Sequence, residues 1–290
     1  MTFALYLGDP AYSSWSLRAW LLFDRFGIDY EPIWVDFLSG SVADQMKPIP
    51  PARTVPTLRL PDGAVLWESL AIAEELASRH PDAGLWPQDP SARATARSLA
   101  AEMHAGFGTL RNDCPMHLRT AYAESPCSPE LKADLRRIEL IWDYARSKHP
   151  SSEPWLCGSY SVADAFFAPV AARIAGYGLP VSPSARAYVD AHLADPAFRR
   201  WRAIGQLRGE RLPWYDRDYP RAEWPGPQPL DAQAIENGTA ENAACPFSGK
   251  PVTDLARIEG RVIGFCNPFC RDKVVADAGA WPEVMALLAR

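Results

Sequence analysis

Phe3-Ala4-Leu5-Tyr6-Leu7-Gly8-Asp9-Pro10-Ala11-Tyr12-Ser13-Ser14-Trp15-Ser16-Leu17-Arg18-Ala19-Trp20-Leu21-Leu22 is the stretch that decides the fold. Phe3 to Leu7 is a short apolar run that reads as a buried strand, and Gly8-Asp9-Pro10 breaks it. Ser13 or Ser14 can cap a helix whose apolar face is Leu17, Trp20, Leu21 and Leu22. Gly27 is placed to end that helix. Working outward, Asp29 to Phe37 reads as a second strand, followed by a polar, proline-rich loop from Ser39 to Arg53. Val55 to Leu60 is a third strand, Pro61-Asp62-Gly63 a hairpin turn and Ala64 to Trp67 a fourth strand. Glu68-Ser69 opens a helix that runs to about Arg79. The order β-α-β, loop, β-β-α predicts an α/β layer, with the hairpin completing a mostly parallel sheet: a thioredoxin-like domain over residues 1–80.

Beyond it the signals change. From Asp89 to about Gly209 only helix patterns occur, predicting an all-α domain over residues 89–212. Asp89-Pro90 and Ser128-Pro129-Glu130 pair a cap with a proline in the first turn. The helices they open reach to about Asn112 and Lys148. Ser161-Val162-Ala163-Asp164 has the serine and acid of a capping box, a folding device rather than a catalytic one. Two further helices fit Pro183 to Ala194 and Pro196 to Gly209. Residues 213–244 are non-periodic and proline-rich and read as an extended linker. Residues 245–290 form a small cysteine-rich extension, with a short helix near Trp281 to Leu288.

The chain's 290 residues suffice for two domains and a sizeable core. Its formal net charge of −5 gives no basic surface for nucleic acid. No apolar run is long enough to cross a bilayer. The N-terminus lacks a charged region before an apolar stretch, so a cytoplasmic location is expected. Three of six cysteines, Cys245, Cys266 and Cys270, fall in the final segment; in a reducing compartment such a cluster reads as a metal site before a disulfide set.

Three features coincide: Tyr12-Ser13-Ser14-Trp15-Ser16 where strand one meets helix one, Val55-Pro56 before strand three, and Glu68-Ser69 at the helix after the hairpin. Together they resemble a cytosolic glutathione transferase over about residues 3–209, with a serine-type loop similar to that of the zeta class and its bacterial relatives. The resemblance implies an enzyme that activates the thiolate of glutathione, its co-substrate, for attack on a small electrophile by conjugation, isomerisation or dehalogenation. A thiol with a pKa near ~8.5 needs help to ionise at neutral pH. A serine hydroxyl and a helix N-terminus both favour the charged form. Ser13 is the first choice for that hydroxyl and Ser14 a close second; either can instead be only the helix cap.

The resemblance further implies that Val55, before a cis Pro56, pairs its backbone with the cysteinyl group. Glu68 and Ser69 then hold the γ-glutamyl end, an acid for its ammonium and a helix start for its carboxylate. Trp15 belongs to the same loop, and Lys47 and Arg53 are candidates for the glycyl carboxylate. His104, Phe107 and Arg111, at helical spacing with Met103, are candidates for the electrophile pocket; such a stripe is otherwise core. The zeta loop usually carries a cysteine where this chain has Trp15, which weakens the case for isomerase activity. The family is usually dimeric, so a homodimer is expected. A non-catalytic glutathione-binding protein and a metal-handling protein on this scaffold are the rival readings.

The tail, Cys245-Pro246-Phe247-Ser248 with Phe265-Cys266-Asn267-Pro268-Phe269-Cys270, resembles the small metal-binding YHS or TRASH-type modules, with Ser248 in place of a second cysteine. That implies a metal, with zinc favoured, on Cys245, Cys266 and Cys270. Three thiolates leave a fourth position for Asp254, Asp272, water or a residue of the main body.

Overall fold

A computed structural model describes residues 2–289. Strand β1 (Phe3–Leu7) leads into helix α1 (Ser14–Asp24), then β2 (Tyr30–Trp34), a one-turn helix α2 (Val42–Gln45), β3 (Thr57–Arg59), β4 (Val65–Leu66) and α3 (Ser69–Arg79). The sheet order is β2-β1-β3-β4. Only β1–β2 is parallel; β1–β3 and β3–β4 are antiparallel, so the sheet is mixed rather than mostly parallel. Alternation along β1 sets the layers. Leu5 and Leu7 pack with α1 and α3 in the main core, while Ala4 and Tyr6 face Met46 and Ala52 of the loop on the other side.

The second domain is helical: α4 (Pro90–Ala105), α5 (Gly108–Asp113), α6 (Pro129–Lys148), α7 (Val162–Gly176), α8 (Pro183–Ala194) and α9 (Pro196–Leu207), with a two-residue strand β5 (Ala121–Tyr122) between α5 and α6. The single helix read from 94 to 112 is two helices. Gly106 ends α4, and Phe107, at φ 61, restarts the chain as the residue before α5. Glycine on either side permits that break. Helix α7 is buried along its whole length and packs on α1, α4 and α8.

Residues 213–244 contain more than a linker. Strand β6 (Arg221–Ala222) pairs with β5. Strand β7 (Ala232–Ile235) pairs with β8 (Asp254–Ile258), which pairs with β9 (Arg261–Phe265), so a three-stranded antiparallel sheet begins well before Cys245. Helix α10 (Pro268–Ala276) and helix α11 (Pro282–Leu288) complete this module. It docks on α9. Arg199 makes a two-pronged pair with Asp277, at 2.9 and 2.6 Å. Arg200 donates to Ala280 O at 2.9 Å and also to Asp24 at the end of α1. Among the described residues no helix is long and apolar enough to cross a membrane.

Asp164, at the start of α7, carries the tightest local order. Its carboxyl accepts from the Leu156, Ser161 and Tyr188 donors, at 3.1, 2.9 and 2.9 Å, and it is fully buried. Burial pushes its pKa up to about 6 even with those bonds. Removing one member of such a network strands the others. Asp164→Ala should cost about 3 kcal/mol or more in chemical denaturation. A loss below ~1 kcal/mol would contradict this account of the α7 start.

Candidate active site

The start of α1 forms one wall of the site. Ser13 is its N-cap: the Ser13 oxygen accepts from the Ser16 N–H at 3.3 Å and lies 2.8 Å from the Ser16 hydroxyl. The Ser16 oxygen in turn accepts the Gly8 N–H at 2.9 Å. Ser14 is different. It is half-buried, and its oxygen accepts from Arg173 Nη2 at 3.2 Å. A hydroxyl that accepts from a guanidinium keeps its own proton for another acceptor.

The opposite wall is the chain before β3. The Val55–Pro56 peptide is cis. The Thr54 hydroxyl donates to Trp67 O at 3.3 Å and the Thr57 hydroxyl to Thr54 O at 2.8 Å, tying this segment to β4's exit. The floor at one end is the start of α3. Ser69 is its first residue and is buried, yet among the described residues its hydroxyl has no hydrogen-bond partner. Glu68 precedes it, half-exposed, with His104 Nε2 3.5 Å from its carboxylate. Burial, with Arg18 and Arg111 nearby, lowers the His104 pKa against the pull of Glu68. The shift favours the neutral imidazole beside the Glu68 carboxylate.

Two cavities meet here. One, of about 310 Å³, is lined by Trp15, Thr54, Val55, Pro56, Glu68, Ser69 and other residues that include His104. The other, of about 510 Å³, is lined by Ser13, Ser14, Trp15, Arg53, Val55, Arg111, Arg173 and Tyr215 among others. They share Trp15, Thr54 and Val55, so they form one cleft with a narrow and a wide half.

The wide half is positively charged. Arg18, almost wholly buried, lies 4.5 Å over the Trp15 ring, and Arg111 lies 4.6 Å from the same ring. Among the described residues Arg18 Nε and Nη1 and Arg111 Nε have no partners. Arg111 also donates to Met103 O and His104 O. Arg173 is buried in α7, holds Cys114 O at 2.9 Å and Pro169 O at 3.2 Å, and is pulled down to about 10 by burial. Among the described residues none of the three has a carboxylate within ion-pair range. Guanidinium groups stay charged at neutral pH even when so shifted, so this end of the cleft favours an anion.

The structure thus brings together Ser13, Ser14, Trp15, Arg53, Val55, Pro56, Glu68, Ser69, His104 and Arg111. Two residues stand apart. Lys47 is exposed, pairs with Asp44 at 2.7 Å and lines neither half. Phe107 is buried in the core, because the break at Gly106 rotates it away from the face that carries Arg111. His104 lines the narrow half beside Glu68, not the wide half expected for it. Arg173 and Tyr215 line the wide half and have no counterpart in the sequence reading. A lone arginine inside the apolar run of α7 was the available signal for Arg173.

A second cluster lies in the C-terminal module. Cys245, Cys266 and Cys270 place their sulfur atoms within 4.8 Å of one another. Asp254 and Asp272 are both engaged by Arg271, at 3.2 and 2.7 Å, and stand outside this group. Ser248 Oγ is 3.2 Å from Cys266 Sγ.

Comparison with known proteins fits this geometry. A family model described as "Glutathione S-transferase, N-terminal domain" matches residues 12–79. A probable maleylacetoacetate isomerase of Caenorhabditis elegans is 42% identical over 99 residues, which are 34% of this chain and 45% of that protein. The chain therefore spans less than half the length of that relative. The maleylacetoacetate isomerase of Rattus norvegicus is 26% identical over 174 residues, 59% of this chain and 77% of the rat protein. A glutathione transferase from Methylococcus capsulatus superposes with a TM-score of 0.52 at 26% identity, over 71% of this chain and all of that one. A glutathione transferase homologue from Burkholderia with bound glutathione shares the fold, with a TM-score of 0.55 at 24% identity over 72% of this chain. With a thioredoxin-like first domain and a helical second domain, the chain is similar over these two domains to glutathione transferases, and residues 12–79 match the N-terminal domain of that family.

Proposed function

We propose that the protein is an enzyme that binds glutathione in the narrow half of the cleft and presents its thiolate to an electrophile in the wide half. The observation that carries this is Ser69: a buried hydroxyl with no partner, at a helix start, beside an available carboxylate and lining a cavity. Leaving such a group unsatisfied is costly, and a bound carboxylate supplies the missing acceptor. Glu68 takes the α-ammonium of the same γ-glutamyl end. Val55 offers backbone to the cysteinyl part, and Arg53 is the cation available to the glycyl carboxylate.

This arrangement leads the sulfur to the start of α1. There the Ser14 hydroxyl donates to it, while Ser13 fixes the first turn of the helix. The helix N-terminus and the charge of Arg173 behind Ser14 add to the stabilisation. The electrophile takes the wide half, against Trp15 and Tyr215. Arg111 and Arg173, which line the wide half without carboxylate partners, favour a substrate that carries one, which agrees with the names of the isomerase relatives. Addition of the thiolate to a conjugated double bond turns it into a single bond that can rotate. Loss of the same thiolate completes an isomerisation, whereas retention gives conjugation. Trp15 stands where the zeta loop usually has cysteine, so both outcomes stay within this reading. As a homodimer the protein would cover the exposed Leu140 and Tyr144 of α6.

A second reading is favoured by the cysteine cluster. Three thiols this close form a soft donor set suited to zinc, and the remaining position falls to Ser248 or a water.

The thiol pKa of bound glutathione tests the first reading. In the wild-type protein it should fall about one to two units below the free value. Ser14→Ala should return it toward the free value with glutathione still bound. Ser13→Ala should instead cost about 1 kcal/mol of stability as a lost cap, and shift the thiol less. An unshifted thiol in the wild-type complex would contradict the reading. Arg111→Gln should raise KM about tenfold or more for an electrophile bearing a carboxylate and leave a neutral electrophile little changed, since a charge-assisted bond is worth ~1.5–3 kcal/mol. Equal effects on both would argue against the anion site.

A further inference from the structure

The cysteine cluster has a neighbour that the metal reading does not use. Lys273 lies one helical turn after Cys270 on α10, so the two share a face. Its Nζ sits 3.5 Å from the centroid of the Phe247 ring, two residues after Cys245, and 4.1 Å from that of Trp281. The cage is built from two sides: Trp281 Nε1 donates to Lys273 O at 3.2 Å, and the Phe247 and Trp281 rings meet edge to face at 5.2 Å. Among the described residues Lys273 has no carboxylate within ion-pair distance. Cys270, Cys245 and Glu283 lie close enough for a negative charge on any of them to act favourably on it, with Arg200 opposing. Burial is the larger influence and works against its charge. A lysine held half-buried without a carboxylate needs another source of negative potential, and the rings alone supply a modest part.

We propose that Lys273 is the counter-ion of the cysteine site: its caged ammonium balances the excess negative charge that three thiolates leave on a bound divalent ion. This rests on the metal reading of the cluster. Three thiolates around a zinc ion carry a net charge of about −1, and one ammonium brings the centre to neutrality. In a partly buried site an uncompensated charge is expensive, so the compensating group becomes part of the site without touching the metal. The acids that could otherwise alter the balance are occupied: Asp254 and Asp272 share Arg271. The fourth position, beside Ser248, then takes a neutral ligand. Lys273 is a positioning and charge-balancing residue, not a ligand.

The test uses the full chain, purified under reducing conditions without chelators, and zinc as the probe, by competition with a chromophoric chelator. The wild type should bind one zinc ion per chain. Cys270→Ser should abolish that binding; a wild type that binds none, or a Cys270→Ser variant that binds as tightly, overturns the metal reading and this inference with it. Lys273→Met keeps the apolar stem and a sulfur for the aromatic cage. It should retain one site per chain with about 10- to 100-fold weaker affinity, and Lys273→Arg should recover most of the loss. Zinc affinity of Lys273→Met within twofold of the wild type overturns the counter-ion role while leaving the metal reading intact. A fall in thermal stability of chelator-treated Lys273→Met that matches its loss of zinc affinity, with no recovery in Lys273→Arg, would make the residue a packing element and likewise overturn the proposal.

Discussion

Arg173 is a cation buried in the most buried helix of the chain, and the rest of the cleft is arranged around where it is held. Its guanidinium spans Cys114 O, Pro169 O and Ser14 Oγ, so one side chain joins the turn after α5, the body of α7 and the first turn of α1. Desolvating that charge costs several kcal/mol unless its donors are met. Backbone oxygens meet two of them, which fixes the position. A third, on Nη2, reaches the serine loop of the other domain. The two domains are therefore held in register at the point where a thiolate has to be stabilised, and the charge that is expensive to bury is used at the cleft. Arg18 and Arg111, 4.5 and 4.6 Å from the centroid of the Trp15 ring, add to the same positive field.

The third body of the chain is tied to the same framework from the far end of α1. Arg200 on α9 holds Asp24, which closes α1, and Ala280 O of the C-terminal module. Arg199 holds Asp277 of that module in a two-pronged pair that is largely buried. The helix that carries Ser13 and Ser14 at its start is thus anchored at its end to the helix on which the module sits. The cysteine cluster is fixed to the main body, not suspended from a loose tether.

What could be read in the sequence was what depends on neighbours in the chain. Ser13-Ser14, Val55-Pro56 and Glu68-Ser69 each sit at a junction between elements, where capping and turn chemistry are local, and the structure brings all three to one cleft. The sequence reads as a mostly parallel sheet, but the sheet is mixed because β3 meets β1 antiparallel, a pairing that no local signal fixes. Phe107 was assigned by helical spacing that the glycines at 106 and 108 interrupt. Lys47 was chosen for its charge, and its charge is spent on Asp44, three residues earlier. Residues 232–235 have little strand character of their own, since Ala232 and Ala234 alternate with polar Gln233; their pairing comes from β8, a tertiary fact. Arg173 and Tyr215 reach the cleft from separate parts of the chain, and only packing unites them.

The most direct test of the central claim is a calorimetric titration of the protein with glutathione, run beside a Ser69→Ala variant. The account predicts saturable binding by the wild type, weakened about tenfold or more in the variant, because the lost hydrogen bond to a charged group is worth ~1.5–3 kcal/mol. Absence of heat at millimolar glutathione, or equal affinity in the two proteins, would contradict it: the buried Ser69 hydroxyl would then not be waiting for the γ-glutamyl carboxylate, and the cleft would serve another ligand.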